Sequence, residues 1–378
     1  MNRNRLYLLV FLILFLLSSS FFYSTNLAAM EAGEDEGVED YYRAQVLTVE
    51  DIEHDNDFVE LEQVARVVLI SGPLEGDIVD INNLYISSSN YANVYLEEGT
   101  ELVIAAYRQD GQINYFLQDI VRDRGLLYLT IIFIVLILLV GLLQGLKTLI
   151  TLALSAIVIF QGMLPLLLAG YSPIPVASMA AILIIVVILV IIGGFNSKSF
   201  AAIVGTSVGV LIAGLLAYYI GNISHLTGLS SSEAQMLLTG DLPIDIRGLL
   251  FAGIIIGSLG AITDVGMSVA STAEQIKKAN PDMGFRELTI ASFNVGRDIM
   301  GTMANTLILA YVGGSIHLLL LIQRYEVNWL RIINMDMIAT EIVRGLAGSI
   351  GLIISIPITA LVSGYFISKK KISLSERV

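Results

Sequence analysis

The chain has 378 residues, 55% of them apolar and only 15% charged, with a mean hydropathy of +0.77. A soluble domain carries about 25% charged residues, so an ordinary water-soluble enzyme is excluded, and the absence of Cys removes disulfide frameworks, thiol catalysis and thiolate metal sites. The net charge of −13 hides an asymmetry: residues 31–125 hold 22 Asp and Glu against 5 Lys and Arg, a local net of −17, which leaves +4 on the rest.

In chain order, Asn2-Arg3-Asn4-Arg5 precedes an apolar run from Leu6 to Leu17 and then Ser18–Ser20. Residues 1–24 read as a signal peptide or as an uncleaved signal anchor. Leu27-Ala28-Ala29 is a cleavage candidate that departs from the small-x-small pattern. Either way the next segment is exported. Residues 25–41 form an acidic leader. Residues 42–124 carry strand signals in RAQVLTVE, EQVARVVLI, LVIAAY and QINYFLQ, short and rich in Val, Ile and Tyr. Turn chemistry lies between them at Ser71–Gly76, Asn82-Asn83, Glu98-Gly99 and Asp110-Gly111. Four or five strands predict a small antiparallel β module, with an OB-like barrel as a candidate topology. Its acidity keeps it soluble, repels nucleic acid and favours cations or basic partners.

Residues 125–370 form the membrane part, ahead of a tail at 371–378. Spans are predicted near 126–143, 146–168, 176–194, 200–220, 248–272, 299–322 and 345–367, seven beyond the N-terminal segment, or eight with an uncleaved anchor. The fold class is thus a polytopic α-helical membrane protein with an extracytoplasmic β domain after its first hydrophobic segment. With Arg3 and Arg5 cytoplasmic, Lys147, Lys198, Lys277, Lys278 and Lys369-Lys370-Lys371 all fall on the cytoplasmic side of a cell membrane, so both termini are inside. Ser230-Ser231-Ser232-Glu233 is a capping-box pattern that predicts a short external helix. Residues 326–340 read as an interfacial helix around Trp329. Pro165 and Pro357 mark helix irregularities.

Ionisable groups inside a span are costly and need a reason. On 248–272 the residues Gly253, Gly257, Gly260, Ala261, Asp264, Ser268 and Ser271 recur at helical spacing as one small, polar stripe. Such a stripe suits close helix packing, yet packing does not require the carboxylate of Asp264. The next span carries Asn294, Asp298, Gly301, Thr302 and Asn305 at matching depth, with Asp264 expected near Thr302–Asn305 and Ser271 near Asp298. Arg297 points about 100° away from Asp298, towards another carboxylate or the cytoplasmic surface. Glu341 and Arg344, one turn apart, are an interfacial ion pair or an external gate, and His317 lies close to the same boundary. A carboxylate buried in low dielectric titrates near neutral pH, so Asp264, with Asp298, is the candidate for proton or cation coupling.

The stretch GSLGAITDVGMSVAST, followed by a cytoplasmic turn and FNVGRDIMGTMANTLILAYVGGS, resembles the YibE/F family of bacterial multi-pass proteins. The resemblance runs over roughly residues 40–370 and implies a transport-like protein with no settled substrate. Gly260–Asp264 is also a GxxxD element, similar to the proton-carrying helix of resistance–nodulation–division permeases. This chain departs from that pattern in its number of spans and its small exported module.

A transporter or exporter of an unknown small solute or ion is therefore expected. The alternative is a non-enzymatic assembly or secretion accessory whose β domain binds a protein partner. A homo-oligomer fits either. No HExxH or P-loop is present, an enzyme is not expected, and no cofactor or metal is assigned.

Overall fold

The computed structural model describes residues 39–53, 59–86, 95–109, 112–239, 243–325 and 328–369. The N-terminal signal or anchor, most of the leader, the Asp110-Gly111 turn and the 371–378 tail lie outside them. The chain forms two compact units that divide between Ile137 and Leu138.

The first unit is built on five strands: β1 (Glu39–Glu53), β2 (Val59–Leu69), β3 (Ile78–Ile86), β4 (Glu101–Gln109) and β5 (Gln112–Ile120). They pair antiparallel in the order β3-β2-β1-β4-β5. Register shifts at Val46/Thr48, Val59/Leu61 and Val103/Ile104 add local twist. The sheet curls until the edge strands β3 and β5 touch, giving a half-barrel. Alternate residues fill its inside, among them Ala44, Val46, Val67, Ile81, Leu102 and Ile104. Asn82-Asn83 is not a turn but part of β3, because Gln63, fully buried, accepts a hydrogen bond from Asn83 Nδ2 at 3.1 Å. The same Gln63 accepts from Leu96 N at 2.8 Å and donates to Asp51 Oδ1 at 2.9 Å. Tyr95 donates to the other oxygen of Asp51 at 2.8 Å. These bonds to Asp51 hold its carboxyl below the ordinary carboxylate value, Gln63 contributing most.

The helices are α1 (Asp123–Ile157), a π-helical turn (Val158–Met163), α2 (Leu164–Leu168), α3 (Pro173–Gly193), α4 (Ser197–Ile223), α5 (Ser232–Thr239), α6 (Ile246–Ala279), α7 (Phe285–Gly314), α8 (Ile316–Arg324), α9 (Trp329–Ile333) and α10 (Asp336–Ser368). Among the described residues five helices are long and apolar enough to cross a membrane, or six when α7 and α8, bent by 62°, are taken as one span. The 126–143 and 146–168 segments are joined in one helical run, Asp123–Leu168, interrupted at Leu142 (φ 46°, ψ −123°). The π turn sits directly before Pro165, where the missing N–H breaks the regular ladder, whereas α10 continues through Pro357. The interfacial segment is shorter than expected. Asn328 caps α9 through Leu330 N, and α10 begins already at Asp336. The short helix α5 does form, but its cap is Ser231, one residue later than the Ser230–Glu233 box: Ser231 Oγ accepts from Ala234 N at 3.2 Å, and alanine at that position cannot close a box.

The second unit is a bundle around α6, the most enclosed of the spans. Lipid tails offer no hydrophobic gain for helix association, so close contact relies on small residues. The crossings follow that rule by setting hydroxyls against glycines. Thr206 of α4 meets Gly266 of α6, Thr359 of α10 meets Gly205 of α4, and Ser258 of α6 meets Gly348 of α10. At the α6–α7 turn the buried Lys277 donates to the Pro281 carbonyl at 2.5 Å and to that of Met283 at 2.9 Å.

Candidate functional site

α6 buries Ile255, Ile262, Val265 and Val269 against its neighbours, which leaves the opposite side of the helix uncovered. Gly253, Gly257, Gly260, Asp264 and Ser268 occupy that side and are exposed, and Ser271 is half-buried. A methyl group added at Gly253 or Gly260 would touch nothing within 4 Å, and one at Gly257 would meet only the Tyr311 hydroxyl, at 3.0 Å. Within one chain the stripe is therefore not a packing seam. It is an open furrow, flanked by α3, where Met267 lies against Gly193, and by α7 through Tyr311. Among the described residues Asp264 has no hydrogen-bond or ion-pair partner.

α7 packs through Leu288, Ser292, Gly296 and Leu307. Asn294, Arg297, Asp298, Thr302 and Asn305 are exposed, since positions two apart lie about 200° around a helix from each other. Val269 meets Gly296, while Ser258 and Leu307 both meet Gly348. The two contacts are equally spaced along both helices, so Asp264 comes level with Gly301 and Thr302. Ser271 comes level with Asn294, one turn from its expected partner Asp298. The structure matches the two stripes in depth but does not press them together. Thr302 bonds only back to its own helix, its Oγ1 donating to the Ile299 carbonyl at 2.9 Å. Among the described residues the side chains of Asn294, Arg297, Asp298 and Asn305 make no hydrogen bond or ion pair.

At the other end of the furrow Arg344 Nη1 donates to Glu341 Oε1 at 2.8 Å, and the guanidinium stacks over Tyr311 at 5.9 Å. The pair is half-buried, which makes it firmer than a surface ion pair. It borders a cavity of about 660 Å³ that also includes Ser230, His317 and Gly253. Gly253 belongs to both cavity and furrow, whereas Gly257, Gly260 and Asp264 do not line the cavity. Sequence reasoning missed Tyr311, because its position faces the packed side of α7 and nothing in the local pattern marks its buried, unpartnered hydroxyl. It also missed the link at the opposite end, where Lys198 of α4 pairs with Glu274 of α6 at 3.2 Å.

A family model described as YibE/F-like protein matches residues 129–369, well over half of the chain. No comparison supports the likeness to resistance–nodulation–division permeases, and it is not carried further. No match was found among the curated proteins or among the solved structures.

Proposed function

The chain belongs to the YibE/F-like family, and from that premise we propose that it is an integral membrane transporter or exporter coupled to a proton or cation through Asp264. One observation carries the reading: a carboxylate with no partner among the described residues stands on an open, glycine-lined face of the most enclosed helix. A carboxylate at that depth is costly against lipid tails, which favours a polar path along the furrow. Arg297 and Asp298 serve the inner mouth of the path, and the Glu341–Arg344 pair serves as its external gate. The test is flux of protons or alkali cations into proteoliposomes. Wild-type flux that Asp264→Asn abolishes supports the reading, and undiminished flux in that variant sinks it.

In the same reading the protein sits in the cell membrane, with the β domain outside and both termini in the cytoplasm. Asp123–Leu168 is about 69 Å long at 1.5 Å per residue, more than twice the roughly 30 Å of a hydrocarbon core. Dividing it at Leu142 gives two spans and, with α7 and α8 counted as one, restores the count of seven; Lys147, Lys198, Lys277 and Lys369 then share the side opposite the β domain. Strand order β3-β2-β1-β4-β5 with β3 touching β5 supports an OB-like barrel. The exposed Tyr41 and Phe116 on that sheet favour a second reading, an assembly accessory whose β domain docks a protein. Coupled flux by the purified protein alone decides for the transporter.

A further inference from the structure

A second cavity, of about 380 Å³, adjoins the one beside Arg344, and the two share Ser315 and Glu341. Their polar content differs. The first, though largely apolar, holds the donors Arg344, His317 and Ser230 beside the Glu341 carboxylate. The second is a groove between α7, α8, α9 and α10 whose walls are almost wholly apolar, among them Val312, Leu319, Ile333, Ile342 and Leu346. Trp329, 70% exposed, stands on its rim, as indole rings do at a bilayer's polar boundary. The Glu341–Arg344 pair and the Tyr311 ring below it form the partition between the two.

Arg344 spends one N–H on Glu341, and among the described residues no other acceptor meets the guanidinium. A guanidinium has five N–H donors in a planar fork that matches a phosphate oxygen pair. A ligand that suits both cavities must join an anionic, acceptor-rich head to a hydrocarbon tail. In the membrane reading proposed above, the groove lies among helices that end near the bilayer's polar boundary, where phospholipid is the most abundant molecule of that description. We propose that the two cavities form one site for a membrane phospholipid, with its phosphodiester against Arg344 and His317 and one acyl chain along the groove. The site shares Glu341 and Arg344 with the external gate of the proposed path but does not include Asp264, so lipid binding is tested without reference to ion coupling.

The experiment measures binding to the full-length protein in neutral detergent by native mass spectrometry and by the shift in unfolding midpoint. Three probes are compared: dioleoyl phosphatidylglycerol, its water-soluble head glycerophosphoglycerol, and dioleoylglycerol, which has the chains and no phosphate. The intact phospholipid is expected to bind at least tenfold more tightly than either fragment. Arg344→Gln and Ile342→Trp, the second filling the groove from a position already 42% exposed, are each expected to weaken it about tenfold. Asp264→Asn is expected to bind it as wild type does. The proposal is overturned if dioleoylglycerol or the free head binds as well as the lipid, or if both variants keep wild-type affinity. Should Arg344→Gln not fold, unchanged binding in Ile342→Trp overturns it alone.

Discussion

Gly205 of α4 lies so close to Thr359 of α10 that a Cβ on the glycine would overlap the threonine hydroxyl and stand 2.9 Å from its Cα. The second distance is to backbone, so no rotamer change relieves it. Gly205→Val is expected to lose about 3 kcal/mol or more of stability, the range of overpacked cores, read as a lower unfolding midpoint in detergent. Adding Thr359→Ala removes the hydroxyl clash only, so it should restore part of the loss and not all.

Lys277 carries a buried charge whose only compensation among the described residues is two carbonyls of the α6–α7 turn. Lys277→Met keeps the apolar stem and leaves those carbonyls unpaired, at a cost of about 1–3 kcal/mol. Limited proteolysis should find faster cleavage between 280 and 284 in this variant. A cleavage rate equal to wild type would count against the lysine as the clamp on that turn.

Gln63 is saturated by Asn83, Leu96 and Asp51 in the middle of the β module. Gln63→Leu removes all of these bonds at once, and the module is expected to lose about 2 kcal/mol or more. The same network sets an acid response. Asp51 has its folded pKa below its ordinary 3.8, so its contribution to stability is complete above that value and disappears as the pH falls through the lower folded one. Asp51→Asn should therefore lessen the loss of β-sheet circular dichroism between pH 4 and pH 2, and an unchanged acid transition would refute that assignment.

Asp264→Glu keeps the charge and adds one methylene on an open face where nothing packs. It is expected to retain a measurable fraction of coupled flux, while Asp264→Asn loses it by tenfold or more with an unfolding midpoint near wild type. A matching loss in both variants would point to shape rather than charge at this position.

Much of the helical unit was legible because its apolar runs are long and its punctuation is local: the Ser230–Glu233 pattern marks the start of α5 to within one residue. Asn82-Asn83 misled because a paired asparagine has the same composition in a turn as in a strand, and only the distant Gln63 distinguishes them. The polar stripes were visible as helical faces, and their depth was readable to within a turn. What each face meets was not readable. Periodicity reports which residues share a side, whereas the neighbour depends on how α3, α4 and α10 crowd the far side of α6. The hydroxyl–glycine contacts were hidden for the same reason, being pairings between segments far apart in sequence, as in Gly205 with Thr359.

The 62° bend after Gly314 turns α8 aside from the course of α7. His317, Leu318 and Leu321 from this short helix wall the polar cavity, and Leu319 walls the apolar groove. One rigid rod of under three turns is thus a shared bulkhead. Both compartments therefore depend on the same nine residues, Ile316–Arg324, for one of their walls.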